Sequence, residues 1–120
     1  MNRALSFNEA RDAGHEMRHY DWKNLPHTPW IGRLDFKVWG QAPGGSLNCY
    51  FTDVVSGQRY RLSAFPRRLG DPHAGKYTPR NCDIDFVSET IQDGTFTITT
   101  GFGKQNNPVW FSAEMNASKR

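Results

Sequence analysis

From Trp30 to Phe65 apolar and polar residues alternate with a period of two in three successive segments, WIGRLDFKVWG, SLNCYFTDVV and QRYRLSAF. In the first, Leu34, Phe36 and Val38 alternate with Arg33, Asp35, Lys37 and Trp39. In the second, Leu47, Cys49 and Phe51 alternate with Asn48, Tyr50 and Thr52. In the third, Tyr60, Leu62 and Ala64 alternate with Arg59, Arg61, Ser63 and Phe65. Strand side chains point alternately to opposite faces, so the pattern predicts three strands, each with an apolar face and a second, mixed face. Val55-Ser56-Gly57-Gln58 joins the second and third, with Gly57 supplying the positive φ that a tight hairpin needs.

Further along, Ile84 and Phe86 predict a short fourth strand over 83–87. TFTITT predicts a fifth behind the Asp93-Gly94 turn, and VWFSAEM a sixth after the loop 101–108. Before the sheet, Ser6-Phe7-Asn8-Glu9 fits a capping box. Phe7, Ala10, Ala13, Met17 and Tyr20 then fall three or four apart, predicting a helix within 1–20 whose narrow apolar stripe docks on a sheet. Residues 21–29 hold two prolines and read as a loop. So do 66–80, with three prolines and two glycines, while 116–120 is a frayed tail.

Together these make a single mainly β domain over 1–120, with about six strands in 30–115 and one N-terminal α-helix. A small antiparallel barrel or strongly curved sheet removes the exposed edges that such strands would otherwise carry. An OB-like barrel is one version, since its early strands form a curved platform with binding loops at the rim. A Pro/Gly loop stands where that fold usually has a helix between its third and fourth strands. A two-layer sandwich is an alternative.

Composition narrows the function. No apolar run reaches the 18 or so residues of a membrane span, so a membrane partner is not expected. The N-terminus lacks the apolar core of a secretory signal, which predicts a cytoplasmic location with Cys49 and Cys82 reduced. The net charge of +3 is unevenly spread: residues 31–80 carry eight basic and three acidic side chains, residues 81–120 three and five. A basic middle segment suits a polyanionic partner.

His15-Glu16-Met17-Arg18-His19 matches the H-E-x-x-H zinc-protease motif. On a helix the two histidines would lie roughly opposite the apolar stripe, Arg18 sits beside a would-be ligand, and no third ligand follows at near spacing. The match reads as coincidental. Asp83 and Asp85 share one strand face but are read as solvated, and the glycines of 40–45 lack the Lys-Ser/Thr of a phosphate loop. No metal, cofactor or catalytic constellation is expected.

The remaining signal is the second face of the first three strands, where cations interleave with rings. Trp39, Tyr50 and Phe65 would stack bases, and Arg33, Lys37, Arg59, Arg61, Arg67 and Arg68 would follow phosphates. The 66–80 loop, with Lys76, Tyr77 and Arg80, would close over the bound chain as a clamp. The expected partner is nucleic acid, single-stranded rather than duplex. The alternative is a protein partner on the same face, in a small interaction or inhibitor module, because exposed Trp, Tyr and Arg also mark protein interfaces.

Overall fold

The computed structural model describes residues 3–40, 45–79, 84–88 and 95–116. Its elements are strand β1 (Ala4–Leu5), helix α1 (Phe7–Asp12), a 3₁₀ turn (Met17–His19), and strands β2 (Trp30–Trp39), β3 (Leu47–Asp53), β4 (Arg59–Ala64), β5 (Thr95–Phe102) and β6 (Pro108–Met115). All six strands form one sheet, in the order β4-β3-β2-β5-β6, with β1 paired parallel to the end of β2. Every other pairing is antiparallel. The sheet curves until its outer strands β4 and β6 approach one another, yet no ladder joins them. The predicted mainly β domain is therefore present as an open, strongly curved sheet with one short helix.

The β3–β4 hairpin forms where predicted. Asp53 N–H donates to Gln58 O, Gly57 has φ +77°, and the Asp53 carboxylate accepts from the amides of Val55 and Ser56. The helix is shorter than its stripe. Ser6 and Glu9 make the capping box as read, but Gly14 at φ +83° ends the helix, and Gly14 and His15 amides return to the carbonyls of Arg11 and Ala10.

A bulge at Asp35 reorganises β2. Leu34 pairs with Phe51, but Phe36, not Asp35, pairs with Tyr50. The extra residue inverts the side-chain parity of everything after it. Phe36 and Val38, expected in the main core, lie on the outer face, where β1, α1 and the 3₁₀ turn cover them. Lys37 and Trp39, expected outside, turn inward.

Residues 84–88 are not a strand. They form a turn in which Asp85 Oδ1 accepts the amides of Tyr77 and Val87. This turn delivers Phe86, fully buried, among Phe51, Phe96 and Phe111 at the centre of the interior. The inward-turned Lys37, also fully buried, donates from Nζ to the carbonyls of Phe86 (2.6 Å) and Ser88 (3.0 Å). The bulge thus supplies the donor that ties the turn to the sheet.

Candidate functional site

The outer face of the β3–β4 hairpin sets Thr52 beside Arg59, Tyr50 beside Arg61 and Asn48 beside Ser63. Asp21 lies beside the edge of β4 in an isolated parallel bridge to Tyr60: its amide donates to Arg59 O (3.0 Å) and its carbonyl accepts from Arg61 N–H (2.9 Å). Its carboxylate then takes the amides of Lys23 (2.8 Å) and Asn24 (3.1 Å), holding the loop in a tight turn. These hydrogen bonds keep the carboxyl below its ordinary range. Trp22 stands on this turn half exposed, with Arg61 5.6 Å and Lys23 5.0 Å from its ring. Both cations are within the distance at which the ring quadrupole attracts them.

Between the N-terminal segment and β4 runs a groove of about 640 Å³, lined by Phe7, Arg11, His15, Arg18, Tyr50 and Arg61 among others. A shallower hollow of about 230 Å³ continues it past Tyr50 and Arg61 to Val38 and Asn48. Glu16 also lines the groove, but its carboxylate lies 2.9 Å from His19 Nε2. Arg11 reaches only its neighbour Asp12, at 3.4 Å, and Arg18 and Arg59 have no ion pair among the described residues. Arg59 sits 5.7 Å from the Tyr20 ring. The floor is aromatic: Tyr50 stacks on Phe36 at 4.6 Å, His15 stacks on the same ring at 4.0 Å, and Tyr20 meets Tyr50 edge-on at 5.1 Å.

Tyr20 Oη donates to Asp35 Oδ2 (2.9 Å), and burial together with that carboxylate raises its pKa to about 12. Burial also raises Tyr50. Both rings stay neutral at physiological pH, and the carboxylates beside the cations include those of Asp35 and Glu16.

Several predicted site residues are placed elsewhere. Lys37 is inside, as described, and is withheld from any ligand. Tyr50 is only 4% exposed, a groove floor rather than a free stacking platform. Trp39 is half-buried and packs edge-on against Tyr77 at 5.2 Å, and both rings sit against the core. The 66–80 loop folds on itself: Arg67 N–H donates to Lys76 O, Gly75 N–H to Arg67 O, and Arg67 Nε lies 3.2 Å from Asp71. This leaves Arg68 and Lys76 exposed at its surface. Arg33 is outward but pairs with Asp35 at 3.1 Å. Arg59, Arg61 and Phe65 lie on or beside the outer face of β4 as predicted. Arg80, and with it Cys82 and Asp83, lies outside the described residues.

The H-E-x-x-H run is not carried on an α-helix, since only Met17–His19 within it form a 3₁₀ turn. Gly14 separates it from α1, His15 is committed to the Phe36 ring and His19 to Glu16. No group of three His, Cys, Asp or Glu suited to a metal occurs among the described residues. Cys49 is fully buried, and desolvation pushes its thiol up to about 12, far from a nucleophilic thiolate. Among the described residues no helix is long and apolar enough to cross a membrane.

Sequence reasoning missed Trp22 and Lys23, and with them Arg11 and Arg18. The adjacent Trp-Lys in a proline-flanked loop was the available signal. Arg11 lies on α1 and Arg18 in the 3₁₀ turn, so their approach to the same groove follows from tertiary packing and not from a local pattern. Compared with protein-family models, curated proteins and solved structures, the chain finds no match.

Proposed function

We propose that this chain binds single-stranded nucleic acid without catalysing a reaction, on the outer face of the β3–β4 hairpin and the groove beside it. The observation that carries the reading is Trp22, a half-exposed indole close to two cations, one of which, Arg61, also lines the groove with Arg11 and Arg18. A base stacked on such a ring gains roughly 1–3 kcal/mol irrespective of its identity, while the guanidinium groups follow the phosphates. The strand order supports the same reading. With β2 between β3 and β5, and β4 approaching β6, it is that of a partly open OB-like Greek-key barrel, which binds oligonucleotides on its second and third strands and rim loops. Those strands are β3 and β4 here. A single strand is favoured because the aromatic ring needs an unpaired base. The setting proposed is the cytoplasm, consistent with a free, buried Cys49.

A protein partner is the second reading, favoured by the almost fully exposed Leu69 and Val55. Fluorescence anisotropy with labelled single-stranded DNA, single-stranded RNA and duplex DNA at two salt concentrations separates them. Nucleic-acid binding predicts salt-sensitive affinity for single strands and about a tenfold loss in Trp22→Ala, which corresponds to ~1.4 kcal/mol. Absence of binding at low salt would sink it.

A further inference from the structure

The outer strands β4 and β6 meet without pairing, and two adjoining hollows occupy the seam. Both are lined by Ser63, Phe65, Val109, Trp110 and Phe111. The smaller, about 180 Å³, adds Trp22 and Arg61 on the outside and Thr100 and Leu62 from within. The larger, about 360 Å³, adds Arg67, Arg68, Asp71 and Thr78. Trp110 is fixed in this wall because its indole lies across Gly101, where any Cβ would fall 1.9 Å from the ring.

Two features mark the seam as built for a ligand. Thr100 and Thr78, 8% and 2% exposed, each line one hollow, and neither Oγ1 has a hydrogen-bond partner among the described residues. Buried hydroxyls in folded proteins are nearly always satisfied, so two unsatisfied ones on residues that line one seam call for an explanation. The charge is also divided. Asp71 is taken up by Arg67 and by the amide of His73, whereas Arg68 is exposed and has no ion pair among the described residues.

We infer that the seam holds one nucleotide unit, its base in the smaller hollow between Trp22, Phe65 and Trp110, and its phosphate in the larger at Arg68. This rests on the nucleic-acid reading and extends it from the outer face into the barrel. A flat ring joined to an anion is what the two hollows match in order: aromatic walls first, then a cation. An added peptide strand does not fit, because Cα atoms of β4 and β6 already come within 8 Å. A strand between them would need a separation of ~9.6 Å, twice the ordinary strand spacing. Arg61 and Trp22 lead from the groove into the seam, since Arg61 lines both.

The test compares Phe65→Ala, Arg68→Ala and Thr100→Val with the wild-type chain, using homopolymeric single-stranded oligonucleotides and, separately, nucleoside monophosphates read by tryptophan fluorescence. Phe65 and Arg68 are exposed and Thr100→Val keeps the volume, so folding is checked by thermal melting. Phe65→Ala is expected to weaken both ligands about tenfold and Arg68→Ala about threefold. Thr100→Val is expected to reorder the preference among bases without changing the salt slope. Oligonucleotide binding that all three variants leave unchanged overturns the seam site while the outer-face reading stands. If the wild type binds no oligonucleotide at low salt, the outer-face reading fails. Monophosphate binding lost in Phe65→Ala then supports the seam alone, and its absence overturns the seam as well. Displacement of a bound monophosphate by an acidic peptide, with no oligonucleotide binding, also overturns it in favour of a protein ligand.

Discussion

One sheet carries two aromatic clusters, one on each side, and they are built differently. Inside, Phe51, Phe86, Phe96 and Phe111 meet edge-on or tilted, with centroids 5.5–6.5 Å apart and no polar atom on any ring. Outside, Phe36 is sandwiched between Tyr50 and His15, and Tyr20 anchors the group through Asp35. The inner cluster is sealed by Phe86 and the buried Lys37. The outer one is covered by α1 and the 3₁₀ turn on one side and opens into an arginine-lined groove on the other. Ring burial is similar in both, so burial does not separate core from site. What separates them is the edge: hydrocarbon closed by hydrocarbon inside, rings that end in hydroxyls and guanidinium groups outside.

The sharpest way to break this comparison is to empty the inner cluster. Phe86→Ala removes a fully buried ring that no strand supports, and should cost ~3–5 kcal/mol in denaturant unfolding. A loss under about 1 kcal/mol would mean that the 84–88 turn does not plug the interior of the curved sheet. Lys37→Met comes next. It leaves the carbonyls of Phe86 and Ser88 without this donor and should destabilise by about 1–3 kcal/mol. Oligonucleotide affinity and its salt dependence should not change. A lower salt slope at unchanged stability would put Lys37 back on the phosphate-binding face.

The Lys37 case also shows how far the sequence can be read. Period-two alternation located β2, β3, β4, β5 and β6, and Gly57 located the hairpin, because burial of one sheet face leaves a direct mark on residue type. That mark fails at Asp35. A bulge is one extra residue with no composition of its own, and it exchanges the faces of Phe36, Lys37, Val38 and Trp39. The 83–87 segment alternates like a strand, yet Phe86 packs from a turn, since an Asp-flanked apolar residue satisfies either geometry locally. The helical stripe over 7–20 is buried only in part, with Ala10 and Tyr20 buried, Met17 half-buried and Phe7 and Ala13 exposed, and Gly14 breaks the helix that was to carry it. The candidate site was legible in part. Arg59 and Arg61 follow from hairpin register, whereas Trp22 depends on Asp21 joining β4 through a contact almost forty residues distant in sequence.

On the outer side, the comparison sharpens through Arg59→Ala and Arg61→Ala. If these groups follow phosphates, each should weaken single-strand binding several-fold and lower the slope of log K against log salt by about 0.7. Arg59 is exposed, so its removal should leave stability within about 0.5 kcal/mol. Equal weakening at every salt concentration would instead point to an uncharged partner surface.

The smallest effect expected at neutral pH concerns Tyr20, the anchor of the outer cluster. Burial and the Asp35 carboxylate raise its pKa to about 12 in the folded chain, against about 10 for an unfolded tyrosine. The folded state therefore holds this proton more tightly, and binds more protons than the unfolded state between those two values. Stability from this group is complete below about pH 10 and is lost as pH rises through 12. Tyr50 and Tyr60 shift in the same direction, so the informative quantity is a difference. Denaturation of the wild type and Tyr20→Phe across pH 8 to 12, with tyrosinate absorbance followed in parallel, should show the variant losing less stability over the last two pH units. The inner cluster has no titrating group on its rings, and Phe86→Ala should change the height of that curve but not its alkaline slope. Parallel alkaline slopes for the wild type and Tyr20→Phe would mean that Tyr20 is not held by Asp35, and that the outer cluster is fastened by packing alone, as the inner one is.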